Sequence, residues 1–188
     1  MISKNLKLFL RRNPPTTHWH IGLSDRLNDS LQNLTRVIKL KPEEFFSHFN
    51  PPKPISNFKK NWSEIDLKLQ SSLTAFLEST DFGEFKALDY CMKALPSNSQ
   101  LHLANSMSVR YANFIGLVNE SISVFANRGT SGIDGSNSTA VGACFSQDQT
   151  VTLITGDMAL FYDRNGFWHN YNLKKLRVIV LNNNGGGI

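Results

Sequence analysis

The stretch Val151-Thr152-Leu153-Ile154-Thr155-Gly156-Asp157 is an apolar run that stops on a glycine and a carboxylate. A helical pattern, Met158 to Trp168, follows. A second apolar run, Leu176-Arg177-Val178-Ile179-Val180-Leu181, then ends on Asn182-Asn183-Asn184-Gly185-Gly186-Gly187. Short β-branched runs on either side of a helical pattern read as a βαβ unit. A helix of about 12 residues at ~1.5 Å each spans roughly 18 Å, close to a six-residue strand at ~3.3 Å per residue. If the two strands are parallel, both polar turns fall at the carboxyl-terminal edge of the sheet, where open α/β sheets bind ligands.

The residue types at that edge suit one chemistry. Asp157 offers a carboxylate at a helix start, where backbone N–H groups also favour a phosphate. Asn184 offers a neutral amide oxygen, and the glycines let main-chain carbonyls approach closely. One carboxylate, one amide oxygen and one carbonyl suit Mg²⁺, which binds hard oxygens and keeps positions open for substrate phosphates. The expected site is a Mg²⁺ that clamps a diphosphate. Taken singly, Gly156-Asp157 is an ordinary turn and the Asn-Gly run a flexible loop; the pairing at βαβ spacing carries the reading.

The rest of the chain alternates in the same way. A helix over 3–12 ends at Asn13-Pro14-Pro15, because proline cannot continue it. Short strands follow at 18–21 and 35–39. Pro42-Glu43-Glu44 opens a helix with proline and acids in its first turn. Residues 50–54 read as a loop and 62–77 as a long amphipathic helix. The pattern then restarts: helix 84–95, strand 100–104, a helix capped by Asn105-Ser106, strand 121–126, and a small-residue helix over 136–143. Strand ends deliver Ser106, Arg128 and Asp157 in turn to one edge.

Composition excludes several classes. The 188 residues are 40% hydrophobic and 11% aromatic, enough for a buried core. No apolar run approaches the roughly 18 residues that span a bilayer. Cys91 and Cys144 form no CxxC pair, so reduced thiols and a cytoplasmic location are expected. Residues 1–60 hold 11 Lys/Arg and 4 Asp/Glu; residues 61–188 hold 9 and 11. The basic residues of the first part are scattered and accompany no nucleic-acid-binding motif, so attraction for small acidic substrates is the better reading. The first helix lacks a preceding strand and the last loop a following element, so the chain is expected to be truncated at both ends, an internal piece of a longer protein.

Three motifs occur in fixed order: Asn105-Ser106-Met107-Ser108-Val109-Arg110, Asn127-Arg128-Gly129-Thr130-Ser131-Gly132-Ile133-Asp134-Gly135, and Gly156-Asp157 with Asn182-Asn183-Asn184-Gly185-Gly186. This series resembles the family of 2-succinyl-5-enolpyruvyl-6-hydroxy-3-cyclohexene-1-carboxylate (SEPHCHC) synthases, thiamine-diphosphate-dependent transferases of menaquinone biosynthesis. The resemblance covers the whole chain and is strongest from Gln100 onward. It implies an α/β thiamine-diphosphate-binding fold, a parallel sheet flanked by helices, preceded by part of a Rossmann-like middle domain. Residues 1–78 would be the end of that middle domain and residues 79–188 the first half of the diphosphate-binding domain.

The resemblance also implies roles. Asp157 and Asn184 would ligate Mg²⁺ (or Mn²⁺) through their side chains and Gly186 through its carbonyl. Gly156 and the amides of Met158 and Ala159 would hold the diphosphate, although family members carry a different pair after Gly-Asp. Ile133 would prop the cofactor in its bent shape. Ser106, Arg110 and Arg128 would hold substrate carboxylates, which guanidinium grips two-pronged, and Lys4 would lie near the second substrate. The family decarboxylates 2-oxoglutarate and adds the resulting four-carbon unit to isochorismate. Its shared active sites imply a homodimer or homotetramer. The family's activating glutamate belongs to an N-terminal domain that these residues do not include, so no catalytic residue is expected here and the 188-residue chain is expected to be inactive alone. The alternatives are another thiamine-diphosphate carboligase or decarboxylase, or a non-catalytic diphosphate-binding module.

Overall fold

Strands that alternate with helices pair in parallel, since the crossover returns the chain to the same sheet edge. The computed structural model describes residues 4–50, 56–117 and 119–186, and every described strand pair is parallel, including Trp19–Ile21 with Arg36–Ile38, which no helix separates. The chain divides into two compact units, Met1–Trp62 and Ser63–Ile188. Most of the loop expected at 50–54, together with Gly187, lies outside the described residues.

The first unit contains α1 (Lys4–Arg12), β1 (Trp19–Ile21), β2 (Arg36–Ile38) and α2 (Pro42–His48). The backbone and side-chain amides of Asn13 both donate to the Phe9 carbonyl, at 2.8 and 3.0 Å, and close α1 one residue before Pro14. β1 and β2 pair with Trp19 opposite Arg36 and Ile21 opposite Ile38. Phe45 on α2 stacks on Phe49 at 5.4 Å and meets the Trp19 ring edge-on at 6.2 Å. No described residue of this unit is fully buried. α3 (Phe58–Ser79) begins at its end and continues into the second unit. The boundary expected from sequence, 78/79, falls at the other end of that helix.

In the second unit, α4 (Glu84–Lys93), β3 (Gln100–Leu103), α5 (Met107–Ile115), β4 (Ser123–Ala126), α6 (Ser136–Ser146), β5 (Val151–Gly156), α7 (Asp157–Tyr162) and β6 (Leu176–Leu181) build an α/β layer structure. The sheet order is β4-β3-β5-β6, all parallel. β5 is buried along its length because both faces are covered, as in other parallel sheets. Ile154 packs into the cluster of Leu88, Met92, Leu101, Leu103 and Val109. Val151 and Leu153 point the other way, onto Ala140 of α6 and Phe167. On β3 the buried His102 stacks on its cross-strand partner Phe125 at 5.0 Å, and burial holds its imidazole below the ordinary histidine value, hence neutral.

One element differs from expectation. The helix predicted from Met158 to Trp168 stops at Tyr162, and Arg164–Phe167 form a 3-10 turn instead. The cause is Asp163, which is buried at 6% exposure and turns inward. Its carboxylate accepts the Ser138 backbone N–H at 2.7 Å and the Ser138 hydroxyl at 2.6 Å, at the opening turn of α6. Gly166 then crosses directly over Ser138, where a Cβ would sit 2.8 Å from Oγ. A tertiary cap wins over helical periodicity.

Candidate functional site

The strand order places a topological switch between β3 and β5: the chain leaves β3 toward β4, crosses back, and leaves β5 toward β6. Crevices open at the carboxyl ends of strands at such a point. The turns after β3 and β5, Asn105-Ser106 and Gly156-Asp157, therefore face one another across the crevice. The register pairs Gly156 with Leu181, so the turn after β6 begins level with Asp157.

A small hollow of about 60 Å³ lies there, lined by Ser106, Ile133, Gly156, Asp157, Met158 and Ala159 together with Glu84, Asn105 and Asn183. Six of the residues expected from sequence thus line one cavity. A larger and more open hollow of about 530 Å³ lies beside Gln147, Asp148 and Lys175, at the amino-terminal edge of the sheet. Its one ion pair, Lys175–Asp148 at 2.5 Å, is exposed, and the hollow gathers none of the motif residues. Size does not mark the site here; convergence of the strand ends does.

The loop after β6 is shaped by its own asparagines. Asn182 Oδ1 accepts the Asn184 N–H at 2.9 Å, and Asn183 Oδ1 accepts the Gly185 N–H at 3.0 Å. These side-chain turns tolerate the left-handed backbone at Asn184 (φ 58°) and lead to Gly186 (φ 52°). Gly186 lies against Met158 in the first turn of α7: a Cβ there would be 3.1 Å from the Met158 sulfur. The turn after β6 thus touches the turn after β5 through Gly186 and Met158, while neither Asn184 nor Gly186 lines the hollow. Asn184 Oδ1 accepts one hydrogen bond from Asn182 Nδ2 at 3.1 Å and keeps a second lone pair.

Other expected residues are placed differently. Arg128 is exposed, and its Nη1 donates to Asn105 Oδ1 at 2.7 Å, beside the cavity. Arg110 is exposed on α5, one turn beyond Ser106, and is not part of the lining. Lys4 is exposed at the start of α1 in the first unit. The cap predicted at Asn105-Ser106 does not form. Ser106 occupies the N-cap position of α5 with φ 74° and no side-chain cap hydrogen bond. Asn105 turns instead toward the loop after β4. A non-glycine residue in that backbone region is strained, and such strain concentrates at functional turns.

Among the described residues no three His, Cys, Asp or Glu side chains cluster as a metal site, and no helix is long and apolar enough to cross a membrane. A divalent ion would therefore rely on the mixed oxygen set around Asp157. The donor types fit Mg²⁺: carboxylate, amide and carbonyl are all hard oxygens, and too few to complete an octahedron without phosphate or water.

No family model matches the chain. Curated proteins match it from end to end. A protein of Cytophaga hutchinsonii named SEPHCHC synthase is 44% identical over 190 residues, covering 100% of this chain and 34% of the relative. Synthases of the same name from Flavobacterium psychrophilum and Bacteroides thetaiotaomicron are 40% and 38% identical, again over 100% of the chain and 34% and 33% of the relative. The whole chain is similar to one segment of SEPHCHC synthases. It spans about a third of the length of the SEPHCHC synthases it matches. The match includes the first unit, where the motifs are least distinctive.

Proposed function

We propose that these residues form the cofactor-anchoring part of a thiamine-diphosphate-dependent SEPHCHC synthase, which decarboxylates 2-oxoglutarate and joins the remaining four carbons to isochorismate. The observation that carries this reading is the contact of Gly186 with Met158, which brings the turn after β6 against the turn after β5, beside the β3/β5 switch point. Thiamine diphosphate, when bound, supplies the electron sink for decarboxylation and carbon–carbon bond formation.

The chain's own part is binding and orientation. Asp157, Asn184 and the Gly186 carbonyl hold Mg²⁺ or Mn²⁺. The amides of Met158 and Ala159, at the opening of α7 where backbone N–H groups lack helical partners, hold the diphosphate beside Gly156. Ile133 braces the cofactor from the loop after β4. Ser106, Arg110 and Arg128 receive substrate carboxylates, and Lys4 serves the second substrate from the middle domain. Fixed guanidinium groups suit two multiply anionic substrates, because they stay charged and are positioned before the reaction begins. On this reading residues 1–78 close the middle domain and residues 79–188 open the diphosphate-binding domain of a soluble cytoplasmic homodimer or homotetramer.

The test is an assay of the intact protein, with its natural flanking sequence, using 2-oxoglutarate and Mg²⁺–thiamine diphosphate with and without isochorismate. Rapid consumption of 2-oxoglutarate only when isochorismate is present, with SEPHCHC as product, is the expected result. Turnover with a different acceptor would point to a sister carboligase, and cofactor binding without turnover to a non-catalytic module. The 188-residue chain alone is expected to show no decarboxylation.

A further inference from the structure

Asn105 stands out because every polar group of its side chain is committed. It is 3% exposed, immediately after β3. Its Nδ2 donates to the Asn127 carbonyl at 3.0 Å and to the Gly132 carbonyl at 2.5 Å. Its Oδ1 accepts from Arg128 Nη1 at 2.7 Å. Asn127 and Gly132 are the residues just before Arg128 and just before Ile133. One carboxamide therefore pins both ends of the loop after β4 and the guanidinium that the loop carries.

We propose that Asn105 is a positioning residue that aims Arg128 into the crevice and sets the height of Ile133 above it. The proposal rests on the reading that Arg128 receives a substrate carboxylate. Among the described residues Arg128 forms no ion pair, and its one side-chain hydrogen bond goes to Asn105. An arginine has five N–H donors, so the other edges of the fork remain for a ligand. Pinning one edge removes rotamer freedom that binding would otherwise have to remove, so the group meets an anion already oriented.

Only a carboxamide serves this geometry. Aspartate keeps the acceptor for Arg128 but loses both donors, and it turns a negative charge toward two carbonyl oxygens. It also neutralises the arginine against which an incoming carboxylate must compete. Glutamine carries the same groups one methylene farther out, and alanine has none of them. The strained backbone of Ser106 is consistent with this demand, because the turn must place Asn105 inward while Ser106 still lines the cavity.

The decisive experiment is a double-mutant cycle in the intact protein loaded with Mg²⁺ and thiamine diphosphate. Calorimetry would read the affinity for glutarate, a dicarboxylate that lacks the reacting keto group. Arg128→Ala should weaken glutarate binding about tenfold or more, the loss of a charge-assisted contact. Asn105→Ala should weaken it by a similar factor, and the double variant no further than Arg128→Ala alone, because the two act as one unit. Asn105→Asp, in which an ion pair with Arg128 supports the fold, should also lose glutarate affinity. If Arg128→Ala weakens glutarate while both Asn105 variants leave it unchanged, or if the Asn105 and Arg128 effects simply multiply, the positioning role is wrong. If Arg128→Ala itself has no effect, the carboxylate-binding assignment of Arg128 fails instead.

Discussion

Replacing Asp157 with alanine in the intact protein is expected to lower the affinity for Mg²⁺ and thiamine diphosphate by more than about a hundredfold. Residues that merely support a metal ligand already cost roughly 10–100-fold when lost, and Asp157 is the one carboxylate of the proposed ligand set. Asp157→Asn, which keeps an oxygen but not the charge, should fall between the two. Stability without cofactor should hardly change. Asp157 is half-buried at the mouth of the crevice and, among the described residues, has no ion pair or side-chain hydrogen bond to lose. Titration calorimetry with thiamine diphosphate at saturating Mg²⁺, beside a denaturation curve of the unliganded protein, measures both. Cofactor affinity unchanged in the alanine variant would remove Asp157 from the site.

The opposite profile is expected at Asp163. Asp163→Ala should cost about 1–3 kcal/mol of stability, because it removes two charge-assisted hydrogen bonds, both part-buried, that cap the opening turn of α6. The carboxylate faces the amino-terminal turn of α6, the end of a helix that favours negative charge. Asp163→Asn keeps one acceptor and should lose about half as much. Cofactor binding should weaken too, through position rather than contact. Asp163 follows directly on α7, and Asn137 of α6 donates to the Leu160 carbonyl at 3.0 Å, so the opening of α6 holds α7 from two sides. Urea denaturation of the variant measures the stability loss. An Asp163→Ala protein as stable as the parent would mean that the cap contributes nothing.

These two aspartates, six residues apart, show how far the sequence was legible. Asp157 could be read because it ends an apolar run beside a glycine, and the second apolar run with its asparagines lies one crossover away. The parallel pairing of β5 and β6 and the shared edge of their turns follow that pattern closely. Asp163 could not be read. Its position in the helical period looks like a solvated face, and only folding shows that Ser138, 25 residues earlier in the chain, waits beneath it. The long predicted helix failed at that point for the same reason.

Asn105 was legible as a polar residue after a strand and was read as a helix cap, the commonest use of asparagine there. Its carboxamide spends its hydrogen bonds 22 and 27 residues away in sequence, at Asn127 and Gly132, and no local pattern encodes that. Ser106 was found at a strand end and Ile133, Met158 and Ala159 through resemblance to the family, and the fold collects them around one hollow. Arg110 and Lys4 are placed by resemblance to the family.

The most direct measurement is anomalous scattering from Mn²⁺ in crystals of the intact protein grown with thiamine diphosphate. The account predicts one strong peak about 2.0–2.3 Å from Asp157 Oδ, Asn184 Oδ1 and the Gly186 carbonyl, with diphosphate oxygens completing the coordination. A peak that touches neither Asp157 nor Asn184 while thiamine diphosphate is bound in the same crystal would contradict it.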